Sequence, residues 1–528
     1  MPKPTANNII ACLNDFSINL PSSVELTGVL SNLHNDSRLI ESGDIFCAII
    51  GHQLDGRQYI EQAIKQGASL VLCECEAEHD HGTISYSTTG VAVIKFFQLN
   101  EKLFPLAKMF YQQPQDNMTI VGITGTNGKT TTSQLLAQML TEYDKSCAII
   151  GTNGAGAIDN LVPIENTTPG ACELHQLFNA FNHDKFSHVA MEVSSHALSQ
   201  KRVLANLFDI ALFTNLSRDH LDYHGSMQSY GEAKRQIFTE DNNQVAVVNF
   251  DDQQGRDWEN TWSNKQVLWL YGRDEEITTF QHYVSATNIK LNSRGVAFSL
   301  VTHLGEIDIK SPLLGDFNID NLLAAISVLL IQKVPLQAIP ALVSKVSAIA
   351  GRMETSSAAQ HATAVVDYAH TPDALEKALR ACRKHCENNL YVVFGCGGDR
   401  DKGKRPLMAQ AAEKFADFLV VTNDNPRSED AQSIANDIVA GFNKLSDEKI
   451  SIILDREQAV LTTLTKAEAG DIVLLAGKGH EDYVIMPKVD KSGKCIGTEK
   501  FSYNERLLVA DFYKKLKSLN TLPNEASL

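Results

Sequence analysis

Residues 119–131, TIVGITGTNGKTT, decide the fold prediction, because they join a buried strand to a helix through a glycine-containing loop. The apolar run 119–124 predicts the strand, and residues 130–140, TTTSQLLAQML, place their leucines and methionine on one side of a helix. Glycines let the loop backbone curl until its N–H groups point at one centre, where the helix N-terminus adds partial positive charge. The loop therefore predicts a phosphate-binding site, and ATP is the first candidate ligand. Its residues are Gly125, Thr126, Asn127, Gly128, Lys129, Thr130 and Thr131.

Two side chains of this loop have a direct role in such chemistry. Lys129 can reach the terminal phosphates, and the Thr130 hydroxyl can hold Mg²⁺. The match to the standard phosphate-loop pattern is imperfect, since Ile123 occupies the position of its first glycine. A glycine-containing turn before an ordinary helix is the alternative, but the order of strand, loop, Lys-Thr and helix favours phosphate binding.

Short apolar runs that end in polar, charged or glycine-rich clusters recur along the chain. Helix-like stretches separate them, and this alternation is typical of parallel sheets with helices on both faces. Ligands bind beyond the carboxyl ends of the strands in such sheets, which is where the clusters fall. The runs with their clusters occupy residues 189–196, 210–220, 364–370, 391–400, 419–427 and 472–481.

The chain has 528 residues, which is too long for a single core, and we expect three domains. We predict an α/β fold with a small α/β N-terminal domain, a central P-loop ATPase-type domain with a parallel sheet, and a C-terminal Rossmann-like domain. The predicted domains span residues 1–116, 117–350 and 351–528, with boundaries at polar and turn-forming stretches.

Composition limits the classes of partner and the compartment. The formal net charge of −16 argues against a general nucleic-acid or membrane-surface binder. The ten cysteines include no C-x-x-C pair, and there is no signal peptide or long apolar segment, so we expect a reduced, soluble, cytoplasmic protein. We further expect a monomer that binds neither nucleic acid nor membrane.

Two residues of the central block are candidates for metal binding. Glu192 ends an apolar run, and a carboxylate there suits Mg²⁺, although a strand-end acid with a structural role is the alternative. His220 lies among several histidines and aspartates, which predicts either a metal site or a solvated loop. Lys234 has the pattern of an ordinary helix lysine.

The last block has three further candidate loops, each with an ordinary solvated loop or turn as its alternative. The segment 424–427 places a rigid proline turn before Arg427, whose guanidinium could grip a carboxylate in bidentate fashion. The loop 477–481 ends in Glu481, a carboxylate that could hold an amine. A local basic patch on this acidic protein fits an anionic substrate. The patch consists of Arg400, Lys402, Lys404 and Arg405.

Taken together, these motifs resemble the bacterial Mur ligases over nearly the full chain. Ile123 fits this family, because the family's own loop lacks the first glycine. The resemblance implies ATP-driven amide synthesis in peptidoglycan assembly, with Mg²⁺ as a cofactor. The segments that carry it are 125–131, 192–196, 214–220, 315–318 with Asn321, 367–370 and 477–480.

The resemblance also implies the substrates, which are UDP-N-acetylmuramoyl-L-alanyl-D-glutamate and meso-diaminopimelate. The first domain would bind the UDP-sugar, the second ATP and the third the amino acid. Related lysine-adding ligases lack the Asp-Asn-Pro-Arg sequence of residues 424–427. Since lysine has one carboxylate fewer, it would leave Arg427 unpaired, and the site would discriminate against it.

Residue roles follow from the same resemblance. Lys129 would contact the phosphates, while Thr130, Glu192 and His220 would hold Mg²⁺. Lys234 matches a lysine that is carbamylated in similar ligases, and the carbamate would help to hold Mg²⁺. The nucleotide would further contact Asn321, Arg352 and Asp367. Positions matched to the UDP-sugar and muramoyl peptide are Asn35, Ser37, His52, Gln53, Leu54, Asn166, Thr167, Thr168, Ser194, Gln200 and Arg202. Positions matched to the diaminopimelate pocket are Arg400, Asp424, Asn425, Pro426, Arg427, Gly477 and Glu481.

Two other activities remain open from the sequence. A folylpolyglutamate synthase-like ligase would share the phosphate loop and the two later domains, but not a front domain of this length. A P-loop switch or motor would use ATP only to change shape, yet the chain has no repeat and no nucleic-acid-binding patch.

Overall fold

The structure is a computed structural model of the chain, and it divides into two compact units. The first unit comprises Met1–Ser285 and Leu323–Val334, and the second comprises Ala286–Leu322 and Pro335–Leu528. The residues that the structure describes are 6–21, 30–51, 54–217, 219–239, 244–263, 266–292, 295–443, 447–489 and 495–519. The boundaries of the three predicted domains stay a prediction.

The front of the first unit contains a five-stranded sheet in the order β1-β2-β3-β5-β4, in which only β4 runs antiparallel to its neighbour. The strands are β1 (Leu33–His34), β2 (Ile45–Ala48), β3 (Leu70–Cys75), β4 (Ile84–Tyr86) and β5 (Ala92–Phe97). The accompanying helices are α1 (Ala6–Asp15), α2 (Ile60–Gln66) and α3 (Leu99–Phe110). Leu99, Leu103 and Phe110 of α3 are buried, which gives this helix one apolar face.

The second sheet of the first unit carries the phosphate loop. Its strands are β6 (Thr119–Thr124), β7 (Cys147–Gly151), β8 (Gly154–Ala157), β9 (Asn160–Val162), β10 (His188–Glu192), β11 (Ile210–Phe213), β12 (Val245–Asn249) and β13 (Val267–Gly272). Their order is β13-β12-β11-β6-β10-β7-β8-β9, and only β8 and β9 are antiparallel. The helices are α4 (Lys129–Glu142), α5 (Ala171–His183), α6 (Ser195–Ser199), α7 (Leu221–His224), α8 (Met227–Arg235) and α9 (Gln253–Glu259).

Strand register brings the predicted clusters to one edge of this sheet. Ile123 of β6 is paired with Glu192 of β10, and Thr124 is paired with Phe213 of β11. The carboxyl ends of these three strands are therefore level with each other. Ile123 is fully buried within β6, so its side chain belongs to the sheet core rather than to the loop.

Strand β14 (Tyr283–Asn292) and helix α10 (Phe317–Ile331) each contain residues of both units. In the second unit, β15 (Gly295–Thr302) pairs antiparallel with β16 (Gly305–Ser311). A six-stranded sheet follows in the order β17-β18-β22-β19-β20-β21, with only β17 antiparallel. Its strands are β17 (Glu354–Ser356), β18 (Thr363–Asp367), β19 (Leu390–Phe394), β20 (Phe418–Val421), β21 (Ile450–Ile452) and β22 (Ile472–Ala476).

Both faces of this sheet are buried, which explains why its strands are continuous apolar runs. Val365 and Leu474 pack into one core, whereas Val366 and Val473 pack into the other. The helices of this part are α11 (Ile339–Lys345), α12 (Pro372–His385), α13 (Lys404–Phe415), α14 (Ala431–Val439), α15 (Arg456–Lys466) and α16 (Glu505–Leu519). A separate hairpin consists of β23 (Tyr483–Val489) and β24 (Cys495–Ser502).

The predicted fold class is confirmed, since parallel sheets alternate with helices through most of the chain. Among the described residues, no helix is both long enough and apolar enough to cross a lipid bilayer.

Candidate active site

The phosphate loop connects β6 directly to α4. Gly125 has φ +149°, and a Cβ added there would lie 1.9 Å from Thr214 Oγ1, so both backbone and space require glycine. Gly128 precedes the helix with φ 85°. Lys129 Nζ donates to Gly125 O at 2.8 Å and to Thr126 O at 3.0 Å. The ammonium group thus lies over the loop, next to backbone that would face a phosphate.

The end of β11 supports the loop from the other side. Thr126 N donates to Asn215 O at 2.8 Å, and Asn127 N donates to Asn215 Oδ1 at 2.9 Å. Thr214 Oγ1 donates to Asn127 O at 2.7 Å. Thr214 and Asn215 belong to the motif of residues 214–220, but no role was predicted for them, because their contact with the loop depends on strand order.

Thr130 and Glu192, predicted as metal ligands, are in contact. Thr130 Oγ1 donates to Glu192 Oε2 at 2.8 Å, and Thr152, which the sequence did not single out, donates its N–H to Glu192 Oε1 at 2.9 Å. Glu192 is only 1% exposed, and this burial raises the pKa of its carboxyl group. A hydroxyl and a carboxylate oxygen are hard ligands that suit Mg²⁺, which fills its other positions with water and phosphate oxygens. The two side chains therefore fit part of a magnesium site.

His220 lies in the same region but among aromatic rings. Its ring is centred 5.0 Å from that of His196 and 6.0 Å from that of Tyr230, and its Nε2 is 3.5 Å from Asp219 Oδ2. Within the described ranges there is no group of three or more histidine, cysteine or acidic side chains that could hold a metal. A magnesium role of His220 together with Glu192 stays a prediction.

Lys234 is not an ordinary helix lysine, so that interpretation of its pattern was wrong. It is 1% exposed, and its Nζ lies 4.5 Å from the centroid of the Tyr230 ring. Burial, together with repulsion from Lys129, lowers the pKa of the Lys234 ammonium to about 6, although Asp219 opposes the change. At neutral pH the folded protein therefore holds Lys234 mainly as a neutral amine.

This burial predicts a pH-dependent cost in stability. Between about pH 6 and pH 10.5, the unfolded chain keeps a proton on Lys234 that the folded chain has lost, so stability rises with pH across this window. We expect Lys234→Met to raise the free energy of unfolding by more than about 1 kcal/mol at pH 7, and by less as the pH approaches 10. Urea denaturation in CO₂-free buffer measures both values.

The control for this prediction is Lys65→Met, which removes an exposed lysine of α2 in the same unit. We expect no pH-dependent change in that variant. A Lys234→Met variant whose stability relative to the parent is the same at pH 7 and pH 9.5 would contradict the prediction.

A cavity of about 800 Å³ in the first unit collects three of the predicted substrate-binding residues, Asn35, Gln200 and Arg202. Gln200 Nε2 donates to Tyr223 Oη at 3.2 Å, and Tyr223 also lines the cavity. Arg202 Nη1 donates to Thr168 O at 3.4 Å, and burial lowers the pKa of its guanidinium. The cavity is large enough for part of a nucleotide-linked substrate.

The other residues predicted for that substrate differ in their surroundings. Thr168 Oγ1 accepts from Ser194 N at 2.9 Å and donates to Glu192 O at 2.9 Å, so its only hydroxyl proton is used within the protein. Thr167 Oγ1 lies 3.1 Å from Thr152 Oγ1. Asn166 and Leu54 are exposed, and Ser37 is buried in a short turn. His52 and Gln53 lie outside the described residues.

In the second unit, the residues predicted to contact the nucleotide lie at the end of β18, just before β17 and within α10. Asp367, at the end of β18, accepts from Met353 N and Ala369 N, both at 2.9 Å, and burial raises the pKa of its carboxyl group despite these bonds. The guanidinium of Arg352 is 5.6 Å from the centroid of the Tyr368 ring. Asn321 Nδ2 donates to Asn318 Oδ1 at 3.0 Å on α10.

The predicted amino-acid pocket is made by loops after β19, β20 and β22. Arg427 has φ 52° and donates from Nη1 to Gly398 O at 2.7 Å, which uses one of its five side-chain N–H donors. A left-handed arginine is uncommon and is typical of functional loops. Asn425 Nδ2 donates to Glu481 Oε2 at 3.0 Å, so the two loops touch through predicted residues.

The remaining members of that set occupy the same loops. Asp424 is 8% exposed, Pro426 O accepts from Glu429 N at 3.0 Å, and Gly477 N donates to Asp367 O at 3.0 Å. Arg400 is exposed, and its Nη1 is 3.4 Å from Asp399 O.

The predicted basic patch is only partly a surface feature, because Arg405 is fully buried. Its guanidinium pairs with Glu429 Oε1 at 2.9 Å and Asp437 Oδ2 at 2.8 Å. Lys402 also pairs with Glu429, at 3.2 Å. The expectation that Arg405 faces an anionic substrate was wrong. Its guanidinium is buried because it pairs with Glu429 and Asp437, which lie far from it in the sequence.

Comparisons with known proteins identify the family of the chain. Models of the Mur ligase family catalytic domain, the Mur ligase middle domain and the Mur ligase glutamate ligase domain match residues 29–111, 123–329 and 351–479. A UDP-N-acetylmuramoyl-L-alanyl-D-glutamate–2,6-diaminopimelate ligase from Haemophilus influenzae is 44% identical over 92% of this chain and 96% of its own length.

Solved structures give the same family. A structure of a UDP-N-acetylmuramoyl-L-alanyl-D-glutamate–2,6-diaminopimelate ligase aligns with a TM-score of 0.71 and 32% identity, covering 94% of this chain and 98% of that one. The MurF ligase of Thermotoga maritima in complex with ADP aligns at a TM-score of 0.56 over 93% of this chain and 99% of that one, and at 17% identity it shows the fold alone. The chain belongs to the Mur ligase family, whose members are ATP-dependent ligases that form amide bonds.

Proposed function

We propose that this protein uses ATP to add meso-diaminopimelate to UDP-N-acetylmuramoyl-L-alanyl-D-glutamate, as a cytoplasmic monomer in peptidoglycan precursor synthesis. The observation that carries the proposal is the nearly full-length similarity to ligases of that name. The loop of residues 424–427 supports it independently, because it presents an arginine suited to a carboxylate.

The chemistry explains why ATP and cations are needed. A carboxylate is a poor electrophile until one of its oxygens becomes part of a phosphate leaving group. The γ-phosphate of ATP would pass to the D-glutamate side-chain carboxylate, and the amine of diaminopimelate would attack the resulting acyl phosphate. Phosphate then leaves, the amine loses a proton, and ADP is the other product. Since two anions must meet in the first step, positive charge is required between them.

The residues around the phosphate loop would supply this positive charge themselves or bind the Mg²⁺ ion that supplies it. Lys129, now on the carbonyls of Gly125 and Thr126, would move onto the phosphates. Thr130 and Glu192 would hold Mg²⁺ with His220, and bound Mg²⁺ supplies positive charge that offsets the phosphate oxygens. The neutral amine of Lys234 is the form that reacts with CO₂ to give a carbamate and a proton, which would create a further anionic ligand.

The other predicted residues would position the substrates. Asn35, Gln200 and Arg202 would hold the nucleotide-linked peptide in the cavity of the first unit. Asn321, Arg352 and Asp367 would contact the nucleotide of ATP. Arg427 would pair with a carboxylate of diaminopimelate that lysine does not have, and Glu481 would pair with an amine.

The two alternative activities have less support. Family membership sets aside a P-loop switch or motor. A folylpolyglutamate synthase-like activity leaves the front sheet without a role, whereas a Mur ligase domain model matches that region at residues 29–111.

The proposal predicts amino-acid-dependent phosphate release. Purified protein with ATP, Mg²⁺ and the UDP-muramoyl dipeptide is expected to release phosphate only when diaminopimelate is added, with formation of the tripeptide product by mass. L-lysine is expected to be used at least about 100-fold less efficiently. Equal turnover of the two amino acids would overturn the specificity, and full ATP hydrolysis without an acceptor would overturn the ligase proposal.

A further inference from the structure

Lys478 is a fully buried lysine between the loops of the proposed amino-acid site, and no role was predicted for it. Its Nζ donates to Asn425 Oδ1 at 2.8 Å, Glu481 Oε2 at 3.3 Å and Tyr483 O at 3.0 Å. It also lies 3.0 Å from Asp424 Oδ1, as an ion pair without hydrogen-bond geometry. The three side chains that it contacts are all members of the predicted diaminopimelate pocket.

These contacts join two segments of the second unit. Asp424 and Asn425 follow β20, whereas Glu481 and Tyr483 lie on the stretch that runs from β22 into β23. The same junction is extended by backbone groups, since Ile485 N donates to Asn425 Oδ1 at 2.9 Å and Arg427 N donates to Ile485 O at 3.1 Å. The ammonium group of Lys478 is therefore at the centre of the loop arrangement that also orients Arg427.

The positive charge of Lys478 lies between two carboxylates and offsets their repulsion. Asp424 Oδ1 lies 3.0 Å and Glu481 Oε2 lies 3.3 Å from the same atom, Lys478 Nζ, so the two carboxylates are close to each other. Burial acts to raise the pKa of Asp424, but attraction from Lys478 and Arg456 outweighs it and lowers that pKa below its usual range. With Lys478 charged, the three groups together have a net charge of −1, which matches one ammonium group of an incoming amino acid.

We propose that Lys478 is a positioning residue for the incoming amino acid, which holds Asp424, Asn425 and Glu481 in the arrangement that receives an ammonium group of the substrate. This inference rests on the proposed function, because it deepens the account of the same pocket. Without the lysine charge, repulsion between the two carboxylates would move Glu481 away from Asp424. The pocket would then lose the placement of the anion that pairs with the amine.

A purely structural role makes a different prediction. Replacing a buried ion pair partner changes folding stability, and a stability effect alone alters the fraction of active enzyme rather than affinity for one of three substrates. The KM values for ATP, the nucleotide-linked peptide and diaminopimelate therefore separate the two roles. The wild-type protein must first make product with diaminopimelate, and failure at that step would count against the proposed function rather than against Lys478.

The first test uses Lys478→Gln, which removes the charge but keeps N–H donors for Asn425 and Tyr483. We expect the KM for diaminopimelate to rise about 10- to 100-fold, with changes below about twofold in the KM for ATP. Lys414→Met is the control, because it removes an exposed lysine that pairs with Glu376 in the same unit. A Lys478→Gln variant with an unchanged KM for diaminopimelate, or with all three KM values raised together, would overturn the proposal.

The second test restores the missing charge. Lys478→Ala leaves a space whose missing atoms correspond to propylammonium. We expect propylammonium, but not 1-propanol, to lower the KM for diaminopimelate in this variant, with product mass excluding propylamine as the acceptor. Equal rescue by the alcohol would show that the lysine acts through packing and would also overturn the proposal.

Discussion

Lys234→Ala is expected to lower kcat by about 100- to 1000-fold, and short carboxylates are expected to restore part of that activity. Loss of one preorganised group that stabilises charge in the transition state has this magnitude. Lys234 is buried beside Tyr230, and burial lowers the pKa of its amine to about 6, so the free amine is available to CO₂ at neutral pH. The carbamate that forms would be the functional anion, and alanine cannot form it.

Rescue distinguishes an anionic role from a packing role. Acetate or propionate can enter the space left by the lysine side chain and place a carboxylate there, so we expect rescue that saturates with concentration. Chloride at equal ionic strength provides the salt control. Glu232→Ala, at an exposed position of the same helix, is the control variant and should keep full activity. Wild-type activity of Lys234→Ala would refute the carbamate role.

Arg427→Met is expected to remove most of the preference for diaminopimelate, through a loss of diaminopimelate turnover that lysine turnover does not share. Removing one partner of a hydrogen-bonded charge pair costs about 2–5 kcal/mol, which corresponds to roughly 30-fold to several-thousandfold in kcat/KM. The loop geometry supports this role, because the bond from Nη1 to Gly398 O orients the guanidinium and leaves the other donors for a ligand. Arg427→Lys should recover little, since an ammonium group cannot form the bidentate pair.

The matched control for Arg427 is Arg380→Met, which removes an exposed arginine of α12 that pairs with Glu376 at 2.6 Å. We expect kcat/KM for both amino acids to be unchanged in that variant. An Arg427→Met variant that loses diaminopimelate and lysine turnover in equal proportion would show that Arg427 maintains the loop structure and does not bind the extra carboxylate of diaminopimelate.

Local pattern predicted much of this molecule. The strand predicted at 119–124 is β6, and the helix predicted over 130–140 lies within α4, because apolar periodicity and glycine position act over a few residues. The prediction that chemistry-bearing clusters follow strands also holds for Glu192 and Asp367. Asn35, Gln200 and Arg202 came from family resemblance, and the structure places them around one cavity.

Other features depend on which distant segments meet. Lys234 and Arg405 have the sequence pattern of ordinary basic residues, yet both are buried once helices pack on their sheets. Thr152 reaches Glu192 only because β7 and β10 are neighbours, and Lys478 becomes a central contact only where loops after β20 and β22 converge. Short-range periodicity does not indicate which distant segments come into contact in the folded chain.

The sequence by itself therefore determined the α/β class, the phosphate loop and the family, since each follows from short motifs and their order along the chain. Only the tertiary structure decided which charged groups are buried and which partners they have. The physical reason is that desolvation and ion pairing are set by the total of surrounding atoms, most of which come from strands and helices far away in sequence.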